Sequence, residues 1–144
     1  MDLKIGNNYL FDTTVYIDSL RNNPLQKDAV RKLIFQARDN RISVGYSIIT
    51  EIELWAGIKG LWTVEQHEVL LAPMRRYLLG VRIAKRAGNI LSLLAQAQIK
   101  SIGMADCVIA ATAEYHNLIL ITRNPDDFNA IITHTNVNIV IEGY

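Results

Sequence analysis

The segment Leu118-Ile119-Leu120-Ile121-Thr122 limits the possible folds of this chain more than any other, because it is an unbroken apolar run of strand length. A strand that is apolar on both sides must be covered on both faces, the situation of a central strand in a parallel sheet. The segment before it supplies one cover. Residues 104–115 read as a helix that is apolar nearly all round, through Val108, Ile109, Ala110, Ala111 and Ala113, which implies burial on more than one side. Further strands are expected at Tyr9-Leu10-Phe11, at 42–46 and at 139–141. Helical spacing appears after Thr14, over 26–40, from Ser47 to about Gly57, from the capping box Thr63-Val64-Glu65-Gln66 onward, and over 84–98 with Leu91, Leu94 and Ala95 facing inward. Gly80-Val81-Arg82-Ile83 reads as a strand or as the opening of that last helix. Strands alternating with helices predict an α/β three-layer sandwich with a mostly parallel central sheet.

A length of 144 residues, half of them hydrophobic, suits one domain over residues 1–144 and excludes a disordered chain. The net charge of +1 argues against a basic nucleic-acid coat and an acidic tail. Between Glu68 and Asp106, however, there is no acid, while Arg75, Arg76, Arg82, Lys85, Arg86 and Lys100 all fall there. This block is a solvated helix face or a surface for phosphates. The single cysteine, Cys107, cannot form an internal disulfide and reads as a small core residue. His67, His116 and His134 lack metal-ligand spacing and suit exposed or loop positions, and Trp55 and Trp62 read as core first and as a partner-binding patch second. No apolar run approaches the roughly 20 residues that span a bilayer. The expectation is a cytoplasmic protein without a membrane partner.

The acids fall where a parallel sheet gathers its ligands, beyond the carboxyl ends of the strands. Asp12 follows the first strand, Glu53 lies in the helix after the second, and Asn124, Asp126 and Asp127 follow the run ending at Thr122. Asp106 opens the buried helix, which must begin at that same edge if it crosses back over the sheet. A carboxylate among apolar neighbours is costly unless paired, hydrogen-bonded or bound to a cation. Converging acids suit Mg²⁺ (or Mn²⁺), which takes oxygen ligands, keeps several waters and supplies an activated water without histidine. Each residue also has a structural explanation. Asp12 or Thr13 could cap a helix, Glu53 could lie on a surface face, Asp106 could complement a helix dipole, and Asp126 and Asp127 beside Pro125 read as turn residues.

Taken in order, four segments resemble the motifs of the PIN domain, in particular the VapC-like toxins of type II toxin-antitoxin pairs: 9–17 around Asp12, 47–57 with Glu53 before Leu54 and Gly57, 105–113 with Asp106, and 120–128 with Asn124. The resemblance covers nearly the whole chain and selects Glu53 over Glu51. It implies a metal-dependent endoribonuclease with Asp12, Glu53 and Asp106 as metal-site acids, Asn124 as the fourth catalytic position, and Thr14 and Thr122 as supporting hydroxyls. Many relatives carry an acid at the fourth position, so Asn124 leaves one or two metals open. The resemblance also implies an RNA substrate, a homodimer and a cognate antitoxin. Two other readings stay open on the residues alone: a phosphohydrolase using Asp12 as nucleophile in Asp-x-Thr, with Asp126 or Asp127 on Mg²⁺, and a non-catalytic RNA- or protein-binding module.

Overall fold

The computed structural model describes residues 1–58 and 60–144. Its centre is a five-stranded sheet in the order β3-β2-β1-β4-β5, and every neighbouring pair is parallel. The strands are β1 (Asn8–Phe11), β2 (Ser43–Ser47), β3 (Arg75–Tyr77), β4 (Ile119–Thr122) and β5 (Val140–Gly143). The helices are α1 (Thr13–Leu20), α2 (Lys27–Ala37), α3 (Ile48–Ala56), α4 (Val64–Leu71), α5 (Val81–Gln96), α6 (Met104–His116) and α7 (Pro125–His134).

Side-chain alternation along the strands divides the core into two. Tyr9, Phe11, Val44, Tyr46 and Ile121 pack with α1, α2 and α4 on one face, while Leu10, Leu120 and Tyr77 pack with α5, α6 and α7 on the other. The expected three-layer sandwich is therefore present, with an all-parallel sheet. Leu10, Phe11, Leu120 and Ile121 are completely buried, as a strand covered on both faces requires.

Local chemistry sets most of the element ends. Ser47 caps α3 by accepting from the Ile49 N–H at 3.3 Å, and Thr63 and Gln66 close a reciprocal capping box on α4. Asn117 ends α6 in the left-handed region at φ 54°, a conformation asparagine tolerates better than most residues. Two glycines are demanded by close approach. A Cβ on Gly45 would meet the Tyr77 ring at 2.4 Å and the Arg75 carbonyl at 2.5 Å, and one on Gly57 would meet the Trp62 ring at 2.2 Å. Gly45 thus lets β3 dock on β2, and Gly57 lets Trp62 fold back to donate its indole N–H to the Leu54 carbonyl at 2.9 Å.

Of the two readings of Gly80-Val81-Arg82-Ile83 the helical one holds, since the segment opens α5 and the third strand lies just before it at Arg75–Tyr77. Other expectations are corrected. The buried stripe of α5 is Ile83, Ala87, Ile90 and Leu94, which leaves Leu91 and Ala95 outward. The Pro-Asp-Asp turn is the first turn of α7, with Pro125 at its start, where a missing N–H costs nothing. His67 is buried on α4 at 4% exposure, whereas Trp55 is 56% exposed. Cys107 is buried as expected, and burial beside Asp106 pushes its thiol up to about 11. No helix among the described residues is long and apolar enough to cross a membrane.

Candidate active site

The chain leaves β1 for β2 and β3 on one side, then returns to place β4 on the other, so the strand order reverses between β1 and β4. A crevice opens beyond the carboxyl ends of two strands that diverge in this way. Asp12 lies in it. Its N–H is fixed by the Ile121 carbonyl at 2.9 Å, and its side chain is 3% exposed. One carboxylate oxygen, Oδ1, caps α1 by accepting from the Thr13 N–H at 2.8 Å. The other accepts from the hydroxyls of Thr14 at 2.9 Å and Thr122 at 2.8 Å. Burial raises the Asp12 carboxyl above its ordinary value, and these hydrogen bonds pull it back only in part.

Glu53 reaches the same place from α3. The Thr13 hydroxyl donates to Glu53 Oε1 at 2.8 Å and lies 2.8 Å from the Thr50 hydroxyl, so one threonine joins Asp12 through its backbone and Glu53 through its side chain. Burial raises the Glu53 carboxyl, the Thr13 bond opposes this, and the Asp12 charge adds to it. Asp106 lies in the first turn of α6. Its carboxyl is pushed up to about 6, first by burial and then by the charges of Asp12, Asp127 and Glu53. Glu51 faces elsewhere. Its carboxylate accepts from the Tyr46 hydroxyl at 2.6 Å and from Arg76 at 2.7 Å, bonds that hold it below its ordinary value despite burial.

Asn124 sits at the start of α7, and its side chain makes no capping hydrogen bond. Its backbone N–H donates to Thr122 Oγ1 at 3.0 Å, and the neighbouring Arg123 N–H donates to Thr14 Oγ1 at 3.2 Å. The loop after β4 is therefore stitched to the two hydroxyls that hold Asp12. Further out, the buried Asp18 accepts from Arg123, from Tyr144 at 2.9 Å and from Asn23 at 2.9 Å.

Two contributors are absent from the sequence reading in these roles. Thr13 appears there only as a helix cap, although a hydroxyl next to a motif acid is a signal for a bridging role. Asp127 acts on Asp106, and the helical phase of α7, hidden by the turn-like Pro125, is what separates it from Asp126.

Among the described residues no group of three or more His, Cys, Asp or Glu side chains is arranged as a cage for a metal ion. The carboxylates that do converge are oxygen donors, the type a hard divalent cation takes when it keeps much of its water. Repelling, partly desolvated carboxylates supply the negative field such an ion needs.

The basic block is not uncompensated. Arg76 pairs with Glu51 at 2.6 Å and Arg86 with Glu114 at 2.6 Å. Arg86 also donates to Asn89 and Asn136, while Glu114 accepts from the Asn138 N–H. Glu114 lies eight residues beyond Asp106 on α6, about 12 Å at 1.5 Å per residue. Arg86 is thus held near the opposite edge of the sheet from the acids. Arg82 and Arg86 both lie on α5, and Arg86 is engaged by protein.

A family model described as PIN domain matches residues 9–132. No curated protein sequence matches the chain. Among solved structures, VapBC2 from Rickettsia felis bound to a promoter DNA fragment is similar at TM-score 0.75 and 20% identity, covering 94% of this chain and 98% of that one. FitAcB from Neisseria gonorrhoeae is 27% identical at TM-score 0.67, covering 92% and 95%. A toxin-antitoxin complex from Klebsiella pneumoniae is 27% identical at TM-score 0.63, covering 84% and 90%.

Proposed function

The chain belongs to the PIN-domain family, and on that premise we propose that it is a metal-dependent endoribonuclease, the toxin of a toxin-antitoxin pair. The observation that carries this reading is the joining of carboxylates from separate elements at one sheet edge. Thr13 ties Asp12 to Glu53, and Asp106 feels the charge of both.

Asp12, Glu53 and Asp106 would hold Mg²⁺, with Mn²⁺ as its functional substitute. When bound, the ion supplies an activated water and neutralises charge on the scissile phosphodiester. The remaining work falls to the chain. Thr14 and Thr122 fix the Asp12 carboxylate from one side and the α1 backbone fixes it from another, so its orientation does not depend on the ligand. Asp106 must give up its proton before it can act as a ligand, and its raised value makes that step the pH-sensitive one. Asn124, at the rim, offers an amide to a water or to the phosphate without adding charge.

A non-catalytic module would have no need of mutually repelling acids at an edge. A cognate antitoxin is supported by the likeness to the Klebsiella pneumoniae toxin-antitoxin complex. A homodimer is supported by Ile52 and Trp55, which are exposed three residues apart on α3.

The test is cleavage of single-stranded RNA with Mg²⁺, Mn²⁺ or chelator. We expect metal-dependent cleavage that Asp12→Asn, Glu53→Gln and Asp106→Asn each remove. Undiminished cleavage by Asp12→Asn overturns the reading.

A further inference from the structure

Beside the edge strand β3, at the far end of α6 from Asp106, lies a hollow of about 390 Å³ whose walls include Arg75, Tyr77, Arg82, Tyr115 and His116. No Asp or Glu lines it. Arg75 and Arg82 are exposed, and among the described residues neither forms a salt bridge. This separates them from Arg76 and Arg86, which acids neutralise. The aromatic rings form a connected series. Tyr77 lies 4.7 Å from His116, His116 lies 4.9 Å from Tyr115, and the Arg75 guanidinium sits 5.1 Å from the centre of the Tyr77 ring. Tyr115 ends the series with 53% of its surface exposed. Burial and the Arg75 charge hold the His116 imidazole below its ordinary value, which favours a neutral, stackable ring.

Arginines without acid partners beside an exposed aromatic ring, here Tyr115 since Tyr77 is buried, are the chemistry that holds single-stranded nucleic acid: the cations follow the backbone, and the ring accepts any base by stacking. We propose that this hollow is a second contact for single-stranded RNA, distinct from the acidic edge, with Arg75 and Arg82 on phosphates and Tyr115 as the stacking face. The inference rests on the ribonuclease reading for its choice of ligand. Arg76, held by Glu51, divides this hollow from a second one lined by Tyr46, Glu51, Trp55, His67 and Glu68, whose acids make it no place for a phosphate. His116 lies ten residues beyond Asp106 on α6, about 15 Å along the helix. A dinucleotide is too short to touch both ends, whereas a longer strand reaches both.

The experiment uses the full chain carrying Asp12→Asn, so that RNA is bound and not cut, with a labelled single strand of about 20 nucleotides, longer than common single-strand sites. Affinity is measured across a salt series with and without Arg75→Ala plus Arg82→Ala, and separately with Tyr115→Ala. The arginine pair should weaken binding about tenfold and flatten the log-log salt slope by about 1.4, at about 0.7 per phosphate contact. Tyr115→Ala should weaken binding about fivefold or more and leave the slope unchanged. In the active background, cleavage of a dinucleotide should be unaltered by any of the three substitutions. Unchanged affinity and slope in the arginine variant overturn the second contact and leave the ribonuclease reading standing. A loss of affinity accompanied by a change in the chain's mass in solution makes the hollow a protein interface and also overturns it. Failure of the unsubstituted chain to bind or cut RNA removes both readings together.

Discussion

The acidic edge and the basic block behave in opposite ways. At the edge, like charges are brought together from the junction of β1 and α1 and from α3, α6 and α7, with Asp106 lifted by burial and by three other carboxylates. In the block, cations adjacent in sequence are drawn apart. Arg76 is bound by Glu51 and Arg86 by Glu114, partners 25 and 28 residues away. Folding compensates charge wherever it can, because an unpaired charge in a partly desolvated position is expensive. Charge that remains uncompensated is therefore the informative kind. By that criterion the partly desolvated acids of the crevice stand out, whereas Arg75 and Arg82 share their lack of an acid partner with Lys85 and Lys100 among the described residues and are set apart by the aromatic rings beside them.

The sharpest way to break the comparison is to remove one uncompensated charge. Asp12→Asn changes almost no volume, but its single oxygen serves either the Thr14 and Thr122 hydroxyls or the Thr13 N–H, so the fold should survive with a melting temperature lowered by the loss of about 1 kcal/mol of capping. Cleavage should fall by more than about 10²-fold, since even outer-shell partners of a metal site cost about 10- to 100-fold. A variant that cuts RNA at the normal rate would show that the crevice charge has no chemical use.

Removing a compensated charge should do the reverse. Arg86 donates to Glu114, Asn89 and Asn136, and its side chain is only 25% exposed. Arg86→Ala should destabilise the chain by about 2 kcal/mol, the scale of hydrogen bonds to charged groups, while RNA affinity stays the same. Arg82→Ala, on the same helix with no such partner, should leave stability within about 0.5 kcal/mol. Denaturant midpoints measure the difference, and equal midpoints would dissolve the distinction between paired and free arginines.

Titration gives a smaller but signed effect. Asp106 holds its proton up to about pH 6 in the folded chain against 3.8 ordinarily, so the folded state binds more protons than the unfolded state across that window. Stability of the metal-free chain should be greatest below pH 4 with respect to this group and should decline as pH rises through 6. Asp12 and Glu53 are raised too and contribute with the same sign. Asp106→Asn should flatten the decline, as should saturating Mg²⁺. The melting temperature against pH, with chelator and with Mg²⁺, reads this directly, and a rise in stability through the same window would reverse the assignment of the field.

What the sequence disclosed follows the same division between local and distant causes. The central strands and α6 are legible because their apolar pattern is continuous and needs no partner to interpret. Asp12, Glu53, Asp106 and Asn124 can be located because each abuts such an element. β3 is not legible, since two of its three residues are exposed arginines and its existence depends on Gly45 of β2 admitting Tyr77. α7 is signalled by proline at its start and acids in its first turn, yet the same residues serve turns equally well. His67 and Trp55 differ from their expected environments, and the two rings meet edge-on at 5.5 Å between α4 and α3, a contact between elements that no local pattern discloses. The ion pairs of Arg76 and Arg86 are of the same kind, with both partners contributed by other elements.

The finest separation lies within α3. Glu51 and Glu53 are two residues apart, roughly 200° around the helix, and the structure gives them different company: Tyr46 and Arg76 for the first, Thr13 for the second. Glu51→Gln removes one partner of a pair in which Arg76 is mostly solvated, a loss of about 0–1 kcal/mol. The amide oxygen can still accept from Tyr46. Cleavage should stay within about twofold of the unsubstituted chain, since no contact links Glu51 to the crevice. Glu53→Gln alters the residue that Thr13 ties to Asp12 and should cost more than about 10²-fold. Paired rate measurements on the two variants decide the register of the second acid. If Glu51→Gln is the inactive one, the charge that matters on α3 is the one the fold has already paired, and the rule drawn from the two regions fails at its closest test.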